Sequence, residues 1–221
     1  MQKSFIRVVM TTAFLMFSSV ALVSTPAVAQ TGGFSQILGG ASDKALDKLS
    51  QPGAFFSDKA VRILLPGPLQ KASKLLRFTG QGDAVKDLQK TMNDVAGRAA
   101  NEAKPIFRNA IDGINLRDGV GIAKSSSGAT DFLRDSSGDV LSQKIRPLVF
   151  KAMGESGAFN QLDKLSSNKV VSQLGLNSEK MTDHVTKKTM EGIFKYMAAE
   201  ESKVRKTRSK RWVVYSEINK Y

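Results

Sequence analysis

The stretch Asp83–Ala100, which reads DAVKDLQKTMNDVAGRAA, predicts an amphipathic helix. Its apolar residues recur at intervals of three and four, which places them on one face of a helix. They are Val85, Leu88, Met92, Val95, Ala96, Ala99 and Ala100. Asp83 is of the residue type that caps a helix N-terminus. Because the rest of the chain shows no strand-like alternation of β-branched residues, we predict an all-α fold.

Shorter apolar stripes on either side of this stretch predict further helices, separated by glycine, proline and serine. They lie in residues 41–49, 68–80, 105–113, 115–122, 130–153, 159–165 and 178–206. Pro147 is expected to kink or interrupt its helix, and Ser178 is expected to cap the last one. The sequence therefore predicts a single-domain bundle of about six to eight helices.

The first 29 residues have the pattern of a cleavable secretory signal peptide. Lys3 and Arg7 precede an apolar run over residues 8–23, and the small-residue site Ala27-Val28-Ala29 follows it. The run is shorter than the ~20 residues that span a bilayer, which favours cleavage after Ala29 over an uncleaved anchor. We therefore expect the protein in the periplasm, with no transmembrane segment after cleavage.

The composition excludes several classes of site. The 221 residues include no cysteine and a single histidine, and the formal net charge is +13. A disulfide framework, a cysteine nucleophile and a thiolate zinc site all need cysteine. A catalytic triad needs an imidazole between a nucleophile and a carboxylate, whereas His184 has only Asp183 beside it in the sequence. We interpret His184 as an ordinary solvated or capped histidine.

Three other patterns match known sites only in part. Asp131, Asp135 and Asp139 are spaced to share a helix face, but the glycine and glutamate of a calcium-binding loop are missing. Ser166-Ser-Asn-Lys169 matches S-x-x-K without the companion elements of penicillin-binding enzymes. Gly119-Val-Gly121 lacks the strand and third glycine of a dinucleotide-binding loop. We predict no cofactor, no metal site and no catalytic residue.

Several segments follow one another in a recognisable order. They are VRILLPGPLQK (61–71), LLR (75–77) through GQG (80–82), AKPIF (103–107), GATDFLR (128–134), RPLV (146–149), VTKKTMEGIF (185–194) and EE (200–201). Together, over about residues 55–206, they resemble the DUF4197 family. The first segment is the most specific, because an arginine between apolar residues ahead of Leu-Pro-Gly-Pro-Leu is not required by helix formation. The resemblance implies an exported, largely helical domain and assigns it no reaction.

The resemblance divides the chain into four parts. Residues 1–29 form the signal peptide, 30–54 an N-terminal segment with a short helix, 55–206 the helical domain, and 207–221 a basic C-terminal tail. The tail departs from the family pattern, because such proteins end with a short helix of leucine and lysine.

Arg62 is the most informative charged residue of the predicted domain. An arginine within an apolar run must be paired, exposed or directed at a ligand. It either caps carbonyl groups or pairs with a carboxylate, or it forms, together with Lys71, Lys74 and Arg77, a basic mouth beside an apolar groove. The second arrangement would suit the anionic head and acyl tail of an amphiphile.

A second basic region begins near the end of the predicted domain. Its members are Lys203, Arg205, Lys206, Arg208, Lys210 and Arg211, followed by Trp212. Such a run suits nucleic acid in the cytosol, but export favours anionic lipid, lipopolysaccharide or another envelope polymer. A merely solvated tail is equally compatible with the pattern.

These observations favour a non-enzymatic role over an enzymatic one. We predict a periplasmic protein that binds an anionic envelope component, either a lipid or another amphiphile, or a protein partner. The alternatives are a hydrolase that uses serine, lysine or carboxylate chemistry and a structural assembly protein. Carboxyl groups with raised pKa values converging in a pocket would favour the hydrolase, and a groove lined by leucine, phenylalanine and methionine would favour binding.

Overall fold

The computed structural model describes residues 28–114, 122 and 125–218; for residues 28–32, 208 and 210–218 it describes the helical backbone alone. Within these residues the chain forms nine α-helices and no strand, which confirms the all-α prediction. The helices are α1 (Val28–Leu49), α2 (Ala54–Ser57), α3 (Gly67–Phe78), α4 (Gly82–Glu102), α5 (Lys104–Asp112), α6 (Gly128–Glu155), α7 (Ala158–Ser166), α8 (Lys169–Ser172) and α9 (Ser178–Ile218). The predicted signal peptide lies outside the described residues apart from Val28 and Ala29, and so does the helix expected over 115–122 apart from Ile122.

The core is built around α4, which packs against helices both before and after it in the chain. All seven apolar residues of the stripe predicted for α4 are buried. The predicted stripe of α9 is buried as well, and α9 forms the two largest helix–helix interfaces, with α6 and with α1. The small side chains of Ala96, Ala99 and Ala100 allow neighbouring helices to approach α4 closely.

The first helix is longer than the sequence indicates. Residues 30–40, expected to be loose because they are rich in glycine, are helical, and α1 begins at Val28. Ile37, Leu38 and Ala41 are buried, and α1 packs along α9. The burial of this face compensates for the low helix propensity of glycine, as tertiary packing often does.

Two predicted N-caps lie inside their helices, Asp83 two residues after the N-cap Gln81 and Ser178 one residue after Asn177. α4 begins at Gly82, so Asp83 lies in the first turn, where its carboxylate still faces the positive end of the helix dipole. α9 is capped by Asn177, whose Oδ1 accepts a hydrogen bond from Lys180 N at 2.9 Å. Ser178 is the first helical residue instead.

Pro147 does not interrupt α6, which runs unbroken from Gly128 to Glu155. A proline inside a helix removes one backbone hydrogen bond to the carbonyl four residues earlier. Pro147 and Gln143 are both exposed, so water can hydrate the carbonyl that lacks a partner.

Residues 58–66, here called the extended segment, connect α2 to α3 without helix. Val61, Ile63 and Leu65 are buried, and Leu64 between them is exposed. The segment thus has the alternation of a strand, but no neighbouring strand is described to pair with its backbone. Its amide and carbonyl groups are instead bound by side chains from α4 and α9, as described below.

None of the helices in the described part of the chain is long and apolar enough to cross a membrane.

Candidate ligand-binding groove

A groove of about 790 Å³ lies between α6 and α9. Each helix contributes side chains four residues apart, which therefore lie in a row along the helix. The row on α6 is Arg134, Gly138, Ser142 and Arg146, and the row on α9 is Thr186, Met190, Phe194 and Ala198. The small residues in the middle of the α6 row leave the space that forms the groove. A Cβ added at Gly138 would have only Arg134 Cγ near it, at 3.7 Å.

The floor of the groove is apolar except for one hydroxyl group. Met190 and Phe194 are buried, and the Phe194 ring packs edge-on against Phe107, with 5.8 Å between the ring centroids. Thr186 is only 2% exposed, and its Oγ1 has no hydrogen-bond partner among the described residues. Nearly all buried hydroxyl groups in folded proteins are hydrogen-bonded, so an unpaired hydroxyl just beneath the groove is unusual.

Charged side chains of both signs line the groove: the cations are Arg134, Arg146, Lys187 and Lys195, and the acids are Asp139, Asp183 and Glu191. On α6, Arg146 Nε donates to Asp183 Oδ1 at 2.7 Å, and Arg146 also pairs with Glu179. On α9, Lys195 Nζ donates to the carbonyl of Ala60 at 3.0 Å. Within the described residues Lys187 makes no ion pair, which leaves its ammonium group able to meet an anion at the groove.

The four residues predicted to form one basic mouth are distributed over three places. Arg62 lines a cavity of about 460 Å³ together with His184, and Arg77 lines another of about 300 Å³ between α3 and α4. Lys71 and Lys74 are exposed on α3. None of the four lines the α6–α9 groove.

Arg62 binds carbonyl groups of its own chain segment. Its Nε donates to the carbonyl of Phe56, and its Nη2 donates to the carbonyl of Ser57 at 3.4 Å. The guanidinium also stacks over the Phe56 ring, 5.0 Å from the centroid. Of the two roles that the sequence left open, the described contacts are those of an arginine that caps carbonyls.

His184 and Asn93 hold the extended segment from opposite sides. His184 Nε2 donates to the carbonyl of Leu64 at 2.8 Å, while Asn93 binds both backbone groups of Ile63. Partial burial, reinforced by the charges of Lys188 and Lys187, lowers the pKa of His184 in spite of the Leu64 hydrogen bond. The imidazole therefore acts as a neutral clamp on the backbone.

The start of the basic C-terminal run is held in ion pairs within the protein. Lys203 Nζ lies 2.8 Å from Glu200 Oε1, and Lys48 Nζ contacts the same oxygen at 2.5 Å. Burial alone would raise the pKa of Glu200, but the hydrogen bonds and charges of the two lysines lower it overall. Lys206 is exposed.

The remaining residues of that run lie on the continuation of α9. Its helical backbone passes through residues 207–218, where a separate tail was expected. The side chains of Arg208, Lys210, Arg211 and Trp212 lie outside those that the structure describes.

Glu201 closes the N-terminus of α6, a role that the sequence reasoning missed. Its carboxylate accepts hydrogen bonds from Ala129 N at 3.1 Å, and from Thr130 N and Oγ1 at 2.8 and 2.7 Å. Arg205 Nε donates to the same carboxylate at 2.8 Å. A Cβ at Gly128 would lie 2.4 Å from the Ile122 carbonyl oxygen, so the backbone fits only with glycine there. These contacts join the GATDFLR and EE segments in the fold.

The described residues contain no group of three or more histidine, aspartate or glutamate side chains placed to hold a metal ion. Asp131 and Asp135 both bind Arg134. Asp58 and Glu200 have lowered pKa values, the direction opposite to that of a carboxyl group acting as a general acid.

The fold and the groove define a single-domain α-helical protein with a groove between the two longest helices of the described residues. The chain belongs to the family described as "Protein of unknown function (DUF4197)", whose family model matches residues 26–213. The match extends beyond residues 55–206 and includes α1, as expected for a helix that packs along α9. No curated protein and no solved structure matches the chain.

Proposed function

We propose that this protein is a non-enzymatic binding protein of the cell envelope, and that it holds an anionic amphiphile in the α6–α9 groove. The observation that carries the proposal is the buried, unpartnered hydroxyl of Thr186 on an otherwise apolar floor. The groove volume of about 790 Å³ lies within the usual range of small-molecule sites. From Arg134 to Arg146 the α6 row extends over about 18 Å, at about 1.5 Å per residue.

Each part of the groove suits one part of such a ligand. Met190 and Phe194 offer an apolar surface to an acyl chain. If its side chain rotates toward the groove, the buried Thr186 hydroxyl can donate a hydrogen bond to an ester or carboxylate oxygen, and the Lys187 ammonium can meet the negative headgroup.

The proposed location rests on the sequence. Residues 1–29 have the pattern of a signal peptide, and the chain stays strongly basic after Lys3 and Arg7 leave with it, which suits the anionic lipids and lipopolysaccharide of a bacterial envelope. A protein partner for the exposed surface is the second possibility that the sequence analysis raised, and the groove favours the lipid.

A variant that fills the groove tests the proposal. Gly138→Leu places a side chain in the open space and also favours the helix, so the fold should be retained. Gly40→Leu is the matched control, because Gly40 is exposed on α1 and has nothing within 4 Å of an added Cβ. In titration calorimetry with palmitate and with short-chain phosphatidylglycerol, we expect Gly138→Leu to lose binding and Gly40→Leu to keep it. Equal binding by both variants would refute the groove as the site.

Thr186→Val tests the hydroxyl itself. Valine has nearly the same shape, and the hydroxyl has no internal partner to lose, so the free energy of unfolding should stay the same or rise. Affinity for the same two ligands should fall by about 10- to 150-fold, as expected for one lost hydrogen bond to a charged group. Unchanged affinity would mean that the ligand does not reach Thr186.

A further inference from the structure

The outward face of α3 combines lysine with exposed apolar side chains. Lys71, Lys74, Leu75 and Phe78 are three or four residues apart, so they adjoin one another on the helix surface. Phe78 is 89% exposed and Leu75 is 48% exposed. We call these four residues the α3 face.

The core does not require the apolar residues of the α3 face. The opposite side of α3 already buries Leu69, Ala72 and Leu76. A phenylalanine this exposed costs solvation without contributing to packing, so its position is better explained by an external contact.

The chain segment that carries the α3 face has charges of one sign. From residue 59 to residue 82 the sequence contains no aspartate or glutamate and carries Lys59, Arg62, Lys71, Lys74 and Arg77. The nearest acidic residues in sequence are Asp58 and Asp83. A partner surface would therefore have to be negatively charged.

The neighbouring helix α8 continues the same chemistry. Lys169 and Val170 are exposed, and Val170 keeps 38% of its surface accessible. Asn168 Nδ2 donates to Gln81 Oε1 at 3.1 Å, which fixes the start of α8 beside the end of α3.

From these observations we infer that the α3 face docks the protein on the surface of an anionic lipid bilayer. Phe78 and Leu75 enter the interfacial region, and Lys71 and Lys74 extend their aliphatic stems along it so that the ammonium groups meet lipid phosphates. A second copy of the chain is a poor partner for this face, because it would bring the lysines of both copies together. The inference is independent of the proposed groove ligand, since no residue of the α3 face lines the groove.

Vesicle flotation with the protein that lacks residues 1–29, whose apolar run would itself enter a bilayer, tests this docking. We expect binding to vesicles of equal parts phosphatidylglycerol and phosphatidylcholine, and little binding to phosphatidylcholine alone. Leu75→Ser/Phe78→Ser should reduce the partition coefficient by about tenfold or more, because two buried apolar anchors are lost. Lys71→Gln/Lys74→Gln should reduce it by a similar factor and weaken its dependence on salt.

Two controls separate the α3 face from other surfaces. Val140→Ser removes an apolar side chain that is 53% exposed on α6 and should leave flotation unchanged. Arg208→Gln/Lys210→Gln/Arg211→Gln tests the C-terminal run and should leave most of the binding intact. The inference is overturned if wild-type protein does not float with anionic vesicles, if the α3 variants float like wild type, or if the C-terminal variant alone abolishes binding.

The groove assays remain a separate readout. Because all four residues of the α3 face are exposed, both α3 variants should keep the wild-type melting temperature and bind palmitate normally, if palmitate is a groove ligand. Loss of flotation with intact palmitate binding supports docking through α3. If an α3 variant loses both flotation and palmitate binding, and circular dichroism shows that it is unfolded, the surface role is contradicted.

Discussion

Asn93 binds Ile63 through both backbone groups of that residue. Its Oδ1 accepts a hydrogen bond from Ile63 N at 2.8 Å, and its Nδ2 donates to Ile63 O at 2.9 Å. One buried amide side chain thus replaces the neighbouring strand that the extended segment lacks. Nδ2 also donates to Gln89 O in α4 at 2.8 Å, which fixes the orientation of the amide.

Asn93→Leu should therefore destabilise the fold strongly. The leucine side chain is of similar size but leaves Ile63 N buried without a partner and leaves Ile63 O only the 3.4 Å hydrogen bond from Gln89 Nε2, and we expect the free energy of unfolding to fall by about 3 kcal/mol. Asn101→Leu, at an exposed position of the same helix, should change it by less than about 0.5 kcal/mol. Urea titration monitored by circular dichroism measures both, and similar midpoints for the two variants would contradict the structural role of Asn93.

Removing the carboxylate of Glu201 should be equally disruptive. Glu201→Ala leaves the first amides of α6 uncapped and leaves Arg205, whose side chain is mostly buried, without its partner. We expect a loss of about 3–5 kcal/mol, as for a broken buried ion pair. Glu155→Ala breaks an exposed pair with Lys151 and should cost less than about 1 kcal/mol. If thermal unfolding shows that Glu201→Ala destabilises the protein as little as Glu155→Ala does, the capping role of Glu201 is contradicted.

Two glycines of α6 should respond in opposite ways to substitution by alanine. Gly128→Ala forces a methyl group against the Ile122 carbonyl oxygen, a backbone atom that cannot rotate away, and should cost about 1–3 kcal/mol. Gly138→Ala adds the same methyl group in open space and should stabilise the helix by up to about 1 kcal/mol. Differential scanning calorimetry should show a lower melting temperature for Gly128→Ala and a higher one for Gly138→Ala. Shifts of the same sign in both variants would exclude this explanation.

The Tyr196–Asp58 hydrogen bond should make stability depend on alkaline pH. Tyr196 Oη donates to Asp58 Oδ2 at 2.5 Å, and this bond raises the pKa of Tyr196 from 10.0 to about 12. Between these two values the unfolded chain loses the phenolic proton and the folded protein keeps it. Stability is therefore fully present below pH 10 and is lost as the pH rises towards 12.

Tyr196→Phe removes that contribution and provides the test. Below pH 10 the variant should be less stable than wild type by about 1 kcal/mol, the usual value of a hydrogen bond to a partly exposed group. The difference should shrink above that pH. Chemical unfolding at neutral and alkaline pH measures it, and a constant difference would show that Tyr196 does not hold its proton on folding.

His184 should make the free energy of unfolding rise with pH near neutrality, the opposite direction to the effect of Tyr196 at alkaline pH. Its pKa is lowered from 6.5, mainly because the imidazole is partly buried, so the folded protein takes up a proton less readily than the unfolded chain. The stability that neutral His184 contributes is fully present when the pH is above the pKa of the unfolded chain, and it is lost as the pH falls below 6.5. His184→Gln, which can still donate to the Leu64 carbonyl, should flatten this slope. An unchanged slope in the variant would assign the pH dependence to other groups.

The helix faces could be predicted from the sequence because burial selects them directly. Met92, Val95 and Ala99 are apolar at helical spacing and lie in the core for that reason. The start of α1 could not be predicted, because its glycine-rich half is helical only against α9. Asn93 was visible as a polar residue on an apolar face, but its partner lies 30 positions away in sequence.

The groove could not be predicted from either helix alone. Gly138 and Ser142 leave space only because the register of α6 on α9 sets them opposite Thr186 and Met190. The adjacent acids Glu200 and Glu201, which stand in a basic stretch, were the one sequence signal that pointed to buried ion pairs. Their separate partners, Lys48 and the start of α6, emerge only from the packing.

The contacts of α9 also bear on when the protein can fold during synthesis. α1, at one end of the sequence, packs along α9 at the other, and Glu201 is needed to close α6. A nascent polypeptide that has not yet emerged beyond residue 201 lacks a partner for α1 and a cap for α6. The native packing of α1 and the closed N-terminus of α6 can therefore form only after residue 201 has been synthesised.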